Sequence, residues 1–374
     1  MFKLEEPKYC SKCILQEGLG FSLSDEGICP VCIGGPPDED TINRLNLLVQ
    51  RYADFKNYAE QNKGSKSYDC ILMLSGGKDS IYMLYKLVEV HKFKPLAFTF
   101  INPFESRNAL HNIEKTLHKL NVEHIAFTPN IAGYKALMKH IFTMSAEEIA
   151  SRLELAFPEK LPCSACTAYM YTVAILFAVQ MEIPYILYCA SDVQMSSVSF
   201  DRTWNIGFFE KFCNDRLTHM LFGSRLDKLK NMDDDDLPKI VYPYISETYN
   251  ARKITDEVKR LGLYETSPTE THCSLYGMLQ YFSIKNYNRY FYVLEAAPAV
   301  RAGSMKRESV IYGLEQFKKS FMQVLAEENI SPEVEENARM VLKYICATDS
   351  QLDYVWNNIR NVHQVARELD IKLS

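Results

Sequence analysis

The sequence predicts an α/β protein built on a doubly wound parallel sheet. Short apolar runs of strand length alternate with helical patterns through the middle of the chain. The first run, CILML at residues 70–74, leads directly into the glycine-containing stretch SGGKDS. Such runs are typical of parallel strands covered on both faces, and their alternation with helices predicts a doubly wound sheet. With 374 residues and 47% hydrophobic content, the chain is long enough to bury this core.

Four strands can be assigned from the pattern. They are predicted at residues 70–74, 94–102, 122–129 and 183–194. Helices are predicted between them at residues 80–93, 106–121 and 161–179. Ligands of an open parallel sheet bind beyond the carboxyl ends of its strands. This rule places residues 75–80, 100–102 and 190–192 around one crevice.

The stretch at residues 75–80 has the composition of a phosphate-binding turn. Glycines let the backbone approach a ligand closely, and the start of a helix supplies unpaired N–H groups and a positive dipole. Lys78 adds a full positive charge. The nucleotide-binding P-loop pattern is excluded, because Leu72 stands where its first glycine belongs and Asp79 follows the lysine. The alternative is a tight strand-to-helix turn that only packs.

These six residues closely resemble the S-G-G-x-D-S signature of the PP-loop ATP pyrophosphatases. The resemblance implies an enzyme that binds the β,γ-phosphates of ATP with Mg²⁺ and transfers AMP to a carbonyl or carboxyl oxygen. It implies catalytic roles for Lys78, Asp79 and Ser80. The nucleotide-binding residues that we assign are Ser75, Gly76, Gly77, Lys78, Asp79, Ser80, Phe100, Asn102, Ser191 and Asp192. For Asp192, Mg²⁺ coordination, substrate orientation and the capping of a loop all stay open.

Four cysteines near the N-terminus have the spacing of a metal site. Cys10, Cys13, Cys29 and Cys32 form two C-x2-C pairs with fifteen residues between them. This spacing falls in the range of a four-cysteine zinc site. Four thiolates would complete a tetrahedral Zn²⁺ site, so a structural zinc-ribbon module is predicted. The alternative is four unligated thiols.

A second group of cysteines is predicted to carry chemistry. Cys163 and Cys166 open a long apolar helix, where the helix dipole favours thiolates, and Cys273 follows much later. Three cysteines can hold a [4Fe–4S] cluster with one iron open, and several PP-loop tRNA-thiolating enzymes have a similar arrangement. The same cysteines are also compatible with a zinc or redox-active pair and with ordinary buried thiols. The cysteines assigned to the core are Cys70, Cys189, Cys213 and Cys346.

Composition narrows the classes of partner. Lys and Arg total 42 against 47 for Asp and Glu, a formal net charge of −5, so no basic surface calls for nucleic acid. No apolar run of membrane-spanning length and no signal peptide are recognised, which predicts a cytoplasmic protein without membrane contact. The acidic run at residues 233–236 is predicted to be a solvated loop. A local basic patch would require these residues to cluster: Lys135, Lys139, Arg301, Lys306 and Arg307.

The predicted organisation has four parts. They are a zinc module at residues 1–37, a linking helix at 38–66, the PP-loop domain at 67–265 and a helical C-terminal region at 266–374. The segment at residues 241–263 resembles the element that follows the catalytic core in PP-loop enzymes.

Three segments together resemble the N-acetyl sugar amidotransferase family. They are DEGICPVC, YDCILMLSGGKDSIYMLYKL and RAGSMKRESVIYGLE. The resemblance implies ATP-dependent conversion of a sugar acetamido group to an acetamidino group for surface glycans. No glutaminase nucleophile is recognised in the chain, so ammonia is expected from a separate glutaminase subunit.

Two further functions stay open. A sulfurtransferase would use the same adenylylation and deliver sulfur from the Cys163, Cys166 and Cys273 group to a thioamide or a tRNA base. A zinc-dependent scaffold with a degenerate PP-loop is the third interpretation, and the intact SGGKDS stretch argues against it.

Overall fold

A computed structural model describes most of the chain. The described ranges are residues 8–17, 22–34, 39–152, 158–190, 202–247, 249–265, 273–290, 293–346 and 349–373. The chain divides into two compact units. The sheet unit comprises Pro37–Tyr134 and Cys166–Thr266, and the helical unit comprises Met1–Pro36, Lys135–Ala165 and Ser267–Ser374.

The described residues of the sheet unit form a five-stranded sheet in which every neighbouring pair is parallel. The strands are β1 (Cys70–Met73), β2 (Pro95–Phe100), β3 (His124–Phe127), β4 (Tyr185–Leu187) and β5 (Lys239–Val241). Their order in the sheet is β3-β2-β1-β4-β5. Ile71 of β1 lies opposite Leu96 of β2 on one side and Ile186 of β4 on the other. The order therefore reverses beside β1, which confirms the predicted doubly wound sheet and places a ligand crevice at the carboxyl end of β1.

Helices follow the strands in the alternation that the sequence predicts. The first helices are α1 (Pro30–Ile33), α2 (Glu39–Gln61), α3 (Lys78–Tyr85), α4 (Arg107–Leu120), α5 (Ile131–Thr143), α6 (Ala146–Arg152) and α7 (Leu161–Gln180). Those that follow are α8 (Arg202–Phe212), α9 (Asp215–Phe222), α10 (Arg225–Lys230), α11 (Ala251–Arg260), α12 (Tyr276–Tyr287), α13 (Val293–Arg301), α14 (Arg307–Ala326), α15 (Pro332–Ile345), α16 (Asp349–Arg360) and α17 (Val362–Glu368). The helices after residue 273 confirm the helical C-terminal region.

The main core of the sheet unit lies where β1 meets α2, α3 and α11. Leu72 of β1 and Ile81 of α3 are completely buried, and they pack in one cluster with Phe55 of α2 and Val258 of α11. Burying an aliphatic or aromatic side chain of this size stabilises a fold by about 1.5–3 kcal/mol. The cluster holds the end of β1 and the start of α3 in a fixed relation.

β5 is the strand that sequence analysis missed. It contains only three residues, too few for a period of two to stand out, and an exposed loop at residues 233–236 precedes it as predicted. β4 is shorter than predicted, and Ser191 and Asp192 lie outside the described residues.

The expectation that no apolar stretch reaches membrane-spanning length is wrong. The helical stretch Pro158–Gln180 has 23 residues and a mean hydropathy of 1.5 in its most apolar window, so it is long and apolar enough to cross a membrane. Of that window, 56% is buried inside the protein. A buried core helix passes the same test of length and composition, because both environments select apolar side chains.

Candidate functional site

The turn between β1 and α3 requires glycine at residue 76. Gly76 has a φ of +73°, a left-handed conformation that other residues rarely adopt. A Cβ atom there would lie 2.2 Å from the carbonyl oxygen of Ala109, in the first turn of α4. The Nδ2 group of Asn112, also in α4, donates to the carbonyl oxygen of Gly76 at 3.4 Å. The turn is therefore pressed directly against the start of α4.

The two serines of the turn fix its remaining backbone. The N–H of Ser75 donates to Oγ of Ser80 at 3.2 Å, and that hydroxyl donates to the carbonyl of Gly77 at 3.1 Å. Gly77 is the N-cap of α3 and provides no side-chain cap. The first N–H groups of α3 thus remain available at the carboxyl end of β1, together with the helix dipole. This arrangement suits the binding of a phosphate group.

Lys78 and Asp79 form an ion pair at the start of α3. Nζ of Lys78 lies 2.8 Å from Oδ2 of Asp79 and 3.2 Å from the hydroxyl of Tyr249. Burial alone lowers the pKa of Lys78, but the Asp79 carboxylate and the Tyr249 hydroxyl raise it above its usual value. Lys78 is therefore a fixed positive charge. Within the described ranges, Oδ1 of Asp79 is buried and has no hydrogen-bond partner, so it is free to accept a cation or a donor.

Two tyrosines that sequence analysis missed hold this ion pair in place. Tyr244 donates from its hydroxyl to the main-chain carbonyl of Asp79 at 2.7 Å. Its ring packs edge-on against that of Tyr249 at 5.3 Å. Both follow β5, in the segment whose resemblance to the element after PP-loop cores was the available signal. Tertiary structure alone brings them to residues 78 and 79, more than 160 positions earlier in the chain.

The same segment has a second attachment to α3 and α2. Glu247 accepts hydrogen bonds from Lys86 and from the hydroxyl of Tyr52. Tyr52 belongs to α2, and Lys86 follows α3 directly in a π-helical turn, Lys86–Val90. Tyr244 and Tyr249 therefore contact the N-terminal end of α3, and Glu247 contacts the residue that follows its C-terminal end.

The predicted nucleotide-binding residues at the end of β2 and just after it have side chains that contact other parts of the protein. Phe100 is 6% exposed, and its ring lies 5.3 Å from that of Tyr169 in the core. Asn102 accepts from the N–H of Phe104 at 2.8 Å and donates to Glu105 at 3.0 Å. The side chains of both residues contact other residues of the protein. Contact of these residues with adenosine stays a prediction, and it would use their main-chain groups.

Glu105 is a titratable group that no sequence pattern indicated. It lies between β2 and α4, at the same edge of the sheet as the Gly76 turn, because parallel strands end on one edge. Burial raises the pKa of Glu105 to about 8, against the opposing effect of hydrogen bonds from the Ser106 N–H and the Asn102 amide. The group changes charge near neutral pH.

The four N-terminal cysteines form a compact metal-type site in the helical unit. Their sulfur atoms all lie within 4.8 Å of one another, and those of Cys13 and Cys29 are 3.8 Å apart. Burial raises the pKa of Cys10, but the N–H groups of Cys29, Cys13 and Lys12 outweigh it and lower the pKa to about 6. Four convergent thiols with backbone N–H donors suit Zn²⁺ and iron–sulfur ligation alike. The metal-binding prediction is supported, and zinc is the proposed ion.

Of the second cysteine group, the structure places Cys163 and Cys166 together on one helix. Cys163 and Cys166 lie one turn apart at the start of α7, and Cys163 is exposed. Cys166 accepts a hydrogen bond from the hydroxyl of Tyr134 at 3.1 Å. Cys273 precedes α12. In the part of the chain that the structure describes, the group of cysteines whose sulfur atoms lie within 4.8 Å of one another is the N-terminal group of four. A cluster held by Cys163, Cys166 and Cys273 therefore stays a prediction.

Comparison with known proteins yields no family match and no curated relative. Among solved structures, the chain is similar to the U34-tRNA thiolase NcsA from Methanococcus maripaludis with its [4Fe–4S] cluster, at 15% identity and a TM-score of 0.32, over 80% of this chain and 87% of that chain. It is similar to the NH3-dependent NAD synthetase from Campylobacter jejuni in complex with the nitrate ion, at 11% identity and a TM-score of 0.32, over 80% and 93%. It is also similar to the NMN synthetase from Francisella tularensis, at 14% identity and a TM-score of 0.26, over 65% and 93%. At these TM-scores the likeness carries no argument about activity, which rests on the residues of this chain.

Replacing Gly76 tests the close approach of the turn to α4. We expect Gly76→Ala to lower the free energy of unfolding by about 2–4 kcal/mol, because left-handed strain and overpacking add. Gly64→Ala is the matched control: Gly64 has a φ of +78° but no atom within 4 Å of an added Cβ, so we expect a loss of only about 1 kcal/mol. Urea unfolding measures both, and equal losses would contradict the close approach.

The raised pKa of Glu105 predicts that the free energy of unfolding depends on pH. Its pKa rises from 4.5 to about 8 on folding, so the folded state favours the protonated form. The contribution of Glu105 to the free energy of unfolding is therefore greatest below pH 4.5. It decreases as the pH rises from 4.5 to about 8. We expect Glu105→Gln to match wild type near pH 4.5 and to exceed it by about 1 kcal/mol or more at pH 8.5. Exposed Glu114→Gln, on α4, is the control, and a difference for Glu105→Gln that does not vary with pH in urea unfolding would contradict the assignment.

Proposed function

We propose that this chain is an AMP-forming enzyme of the ATP pyrophosphatase type. The observation that carries the proposal is the intact SGGKDS turn at the carboxyl end of β1, beside the point where the strand order reverses. The turn combines available N–H groups, the fixed charge of Lys78 and the free Oδ1 of Asp79. These are the groups needed to hold a polyphosphate and a divalent cation.

Each group has a defined part in the proposed reaction. An acceptor oxygen attacks the α-phosphorus of ATP, a new P–O bond forms, and pyrophosphate leaves with the electron pair of the broken bond. Lys78 and the main-chain N–H groups at the start of α3 stabilise the charge that develops on pyrophosphate. Asp79 would hold Mg²⁺, which neutralises phosphate charge when bound. Because adenylylation creates the leaving group, positioning contributes more to this reaction than a strong base.

We propose an N-acetyl sugar as the acceptor. After adenylylation of the acetamido oxygen, ammonia adds to the same carbon. The C–O bond then breaks with its electron pair going to AMP, and one proton leaves the nitrogen to give the acetamidino group. The net charge of −5 favours a small-molecule acceptor over nucleic acid. A separate glutaminase subunit is the proposed source of ammonia.

A contact within the helical unit supports the sugar proposal. Cys29 and Cys32 of DEGICPVC belong to the four-cysteine site. Nε of Arg307, in RAGSMKRESVIYGLE, donates to the carbonyl oxygens of the other two cysteines of that site, Cys10 and Cys13, at 2.9 and 2.8 Å. The late segment therefore contacts the cysteine site to which the early segment belongs.

Replacing Lys78 tests the proposed chemistry. We expect Lys78→Ala to reduce AMP formation at least about 100-fold, because the charge on departing pyrophosphate loses its stabilising partner. The assay follows AMP and pyrophosphate with acetamido sugars and ammonia, and the exposed Lys253→Ala on α11 is the control. Normal AMP formation by Lys78→Ala would contradict the role of the turn. No turnover by the wild-type protein with sugar or thiolation acceptors would indicate a scaffold.

Sulfur transfer is the second candidate function. It is favoured by the two cysteines one turn apart at the start of α7, which are suited to hold a cluster. Burial raises the pKa of the Cys163 thiol to about 11, contrary to the expectation that the helix start favours its thiolate, so a bound metal would have to stabilise the thiolate. α7 leads back to the beginning of β4, so Cys166 lies towards the carboxyl edge of the sheet unit. A tRNA base or a small-molecule amide would be the acceptor.

Metal and sulfide analysis under anaerobic conditions separates the two candidates. If sulfur transfer holds, we expect about four irons and inorganic sulfide per chain, lost in Cys163→Ala and retained in Cys213→Ala. Zinc without iron after reconstitution would contradict it. Iron that is lost in Cys10→Ser but retained in Cys163→Ala would place the cluster at the N-terminal site and also contradict it.

A further inference from the structure

Two arginines from one turn of the helical unit contact the four-cysteine site. Arg301 is the last residue of α13, and Arg307 is the first residue of α14. Nη1 of Arg301 lies 3.7 Å from Sγ of Cys13, within hydrogen-bonding distance of a sulfur acceptor. Arg307 donates from one N–H to both carbonyl oxygens of the first cysteine pair.

The two contacts act on different atoms. Arg307 binds main-chain oxygens, so it positions the Cys10–Cys13 loop with or without a metal. Arg301 contacts a ligand atom, so its effect depends on the charge of that sulfur. Two further members of the basic group named from the sequence are engaged elsewhere, since Lys135 pairs with Glu368 and Lys139 with Asp370.

Charge explains why Arg301 matters for a bound metal. A divalent ion with four thiolates carries a net charge of about −2. Cys10, Cys13 and Cys29 are completely buried, so this charge is poorly solvated. Backbone N–H groups already donate to the sulfurs of Cys10 and Cys13 at 3.3–3.4 Å. A guanidinium beside Cys13 supplies a full positive charge as well as a donor.

We propose that Arg301 is an outer-sphere donor to the Cys13 thiolate, and that Arg301 and Arg307 couple metal occupancy to the order of the α13–α14 turn. A bound metal holds the Cys13 sulfur in place as a ligand, so the contact with Arg301 then connects the turn to the site. Without the metal that sulfur is no longer held, whereas Arg307 still binds the main-chain oxygens of Cys10 and Cys13. The coupling reaches the preceding segment, because Oε1 of buried Gln16 accepts from the N–H of Tyr290 at 3.3 Å.

Competition with a zinc chelator tests the role of Arg301. We expect Arg301→Leu to weaken zinc binding roughly 10-fold, the usual scale for losing an outer-shell partner. Arg301→Lys keeps the charge and should recover part of this loss. Arg252→Leu, at a 93% exposed arginine of α11, is the matched control and should bind zinc as wild type does. Alkylation of the zinc-loaded protein should modify Cys13 faster in Arg301→Leu, because its sulfur loses a donor and becomes more nucleophilic.

Hydrogen exchange tests the coupling separately. Zinc removal should speed amide exchange at residues 299–310 in wild type and should change it less in Arg301→Leu. Arg307→Leu should show fast exchange there even with zinc bound; if it does not fold, the Arg301 variants decide the question. Wild-type zinc affinity in Arg301→Leu, or exchange at the turn that zinc does not alter, would overturn the proposal. None of these readouts uses ATP turnover, so they are independent of the proposed enzyme activity.

Discussion

The close approach of α4 to Gly76 is the constraint on which the candidate site depends. The carbonyl of Ala109 occupies the space that any side chain at residue 76 would need. This contact joins the first turn of α4, which follows β2, to the end of β1. The loops that follow β1 and β2 are consequently held at a fixed distance from each other at the same edge of the sheet. Within the turn, the N–H groups of Ser75 and Gly77 donate to the hydroxyls of Ser80 and Ser75.

The positions of Lys78 and Asp79 depend in turn on residues that follow the edge strand β5. Tyr244 and Tyr249 follow β5, and they hold the main chain of Asp79 and the amine of Lys78. Glu247 attaches the same segment to Lys86. An ammonium group held by an anion and a hydroxyl is pre-organised and changes little when a phosphate arrives, which is what electrostatic catalysis requires. Among the buried side-chain atoms that the structure describes at the site, Oδ1 of Asp79 has no hydrogen-bond partner.

The four-cysteine site is suited to stabilise a different part of the chain by different chemistry, because its four thiols are arranged as metal ligands. In the sheet unit, apolar side chains converge on one core, and the free energy of folding follows from their burial. In the segment around Cys10 and Cys29, Ile14 and Leu15 are buried beside the cysteines, and bonds from the four thiols to a metal ion would order the segment further. The contacts of Arg301 and Arg307 show how such a site can order a neighbouring turn as well as its own loop. Apolar burial stabilises both units, since Leu314 and Trp356 of the helical unit are also buried, and metal ligation would add to it in the helical unit.

The sequence by itself determined the parallel α/β class, four of the five strands, the helical C-terminal region and the position of the SGGKDS turn. It could do so because strand-length apolar runs, helical periodicity and glycine spacing are local properties. It also determined the N-terminal metal-type site, because paired cysteines imply their own geometry. Only the tertiary structure decided the strand order, the short β5, the two tyrosines beside Lys78 and the burial of Glu105. Each of these depends on segments that are far apart in the chain, and no local pattern encodes which of them will meet. The same reason explains why Arg301 and Arg307 could be named as basic residues from the sequence, whereas their position beside the cysteine site required the folded chain.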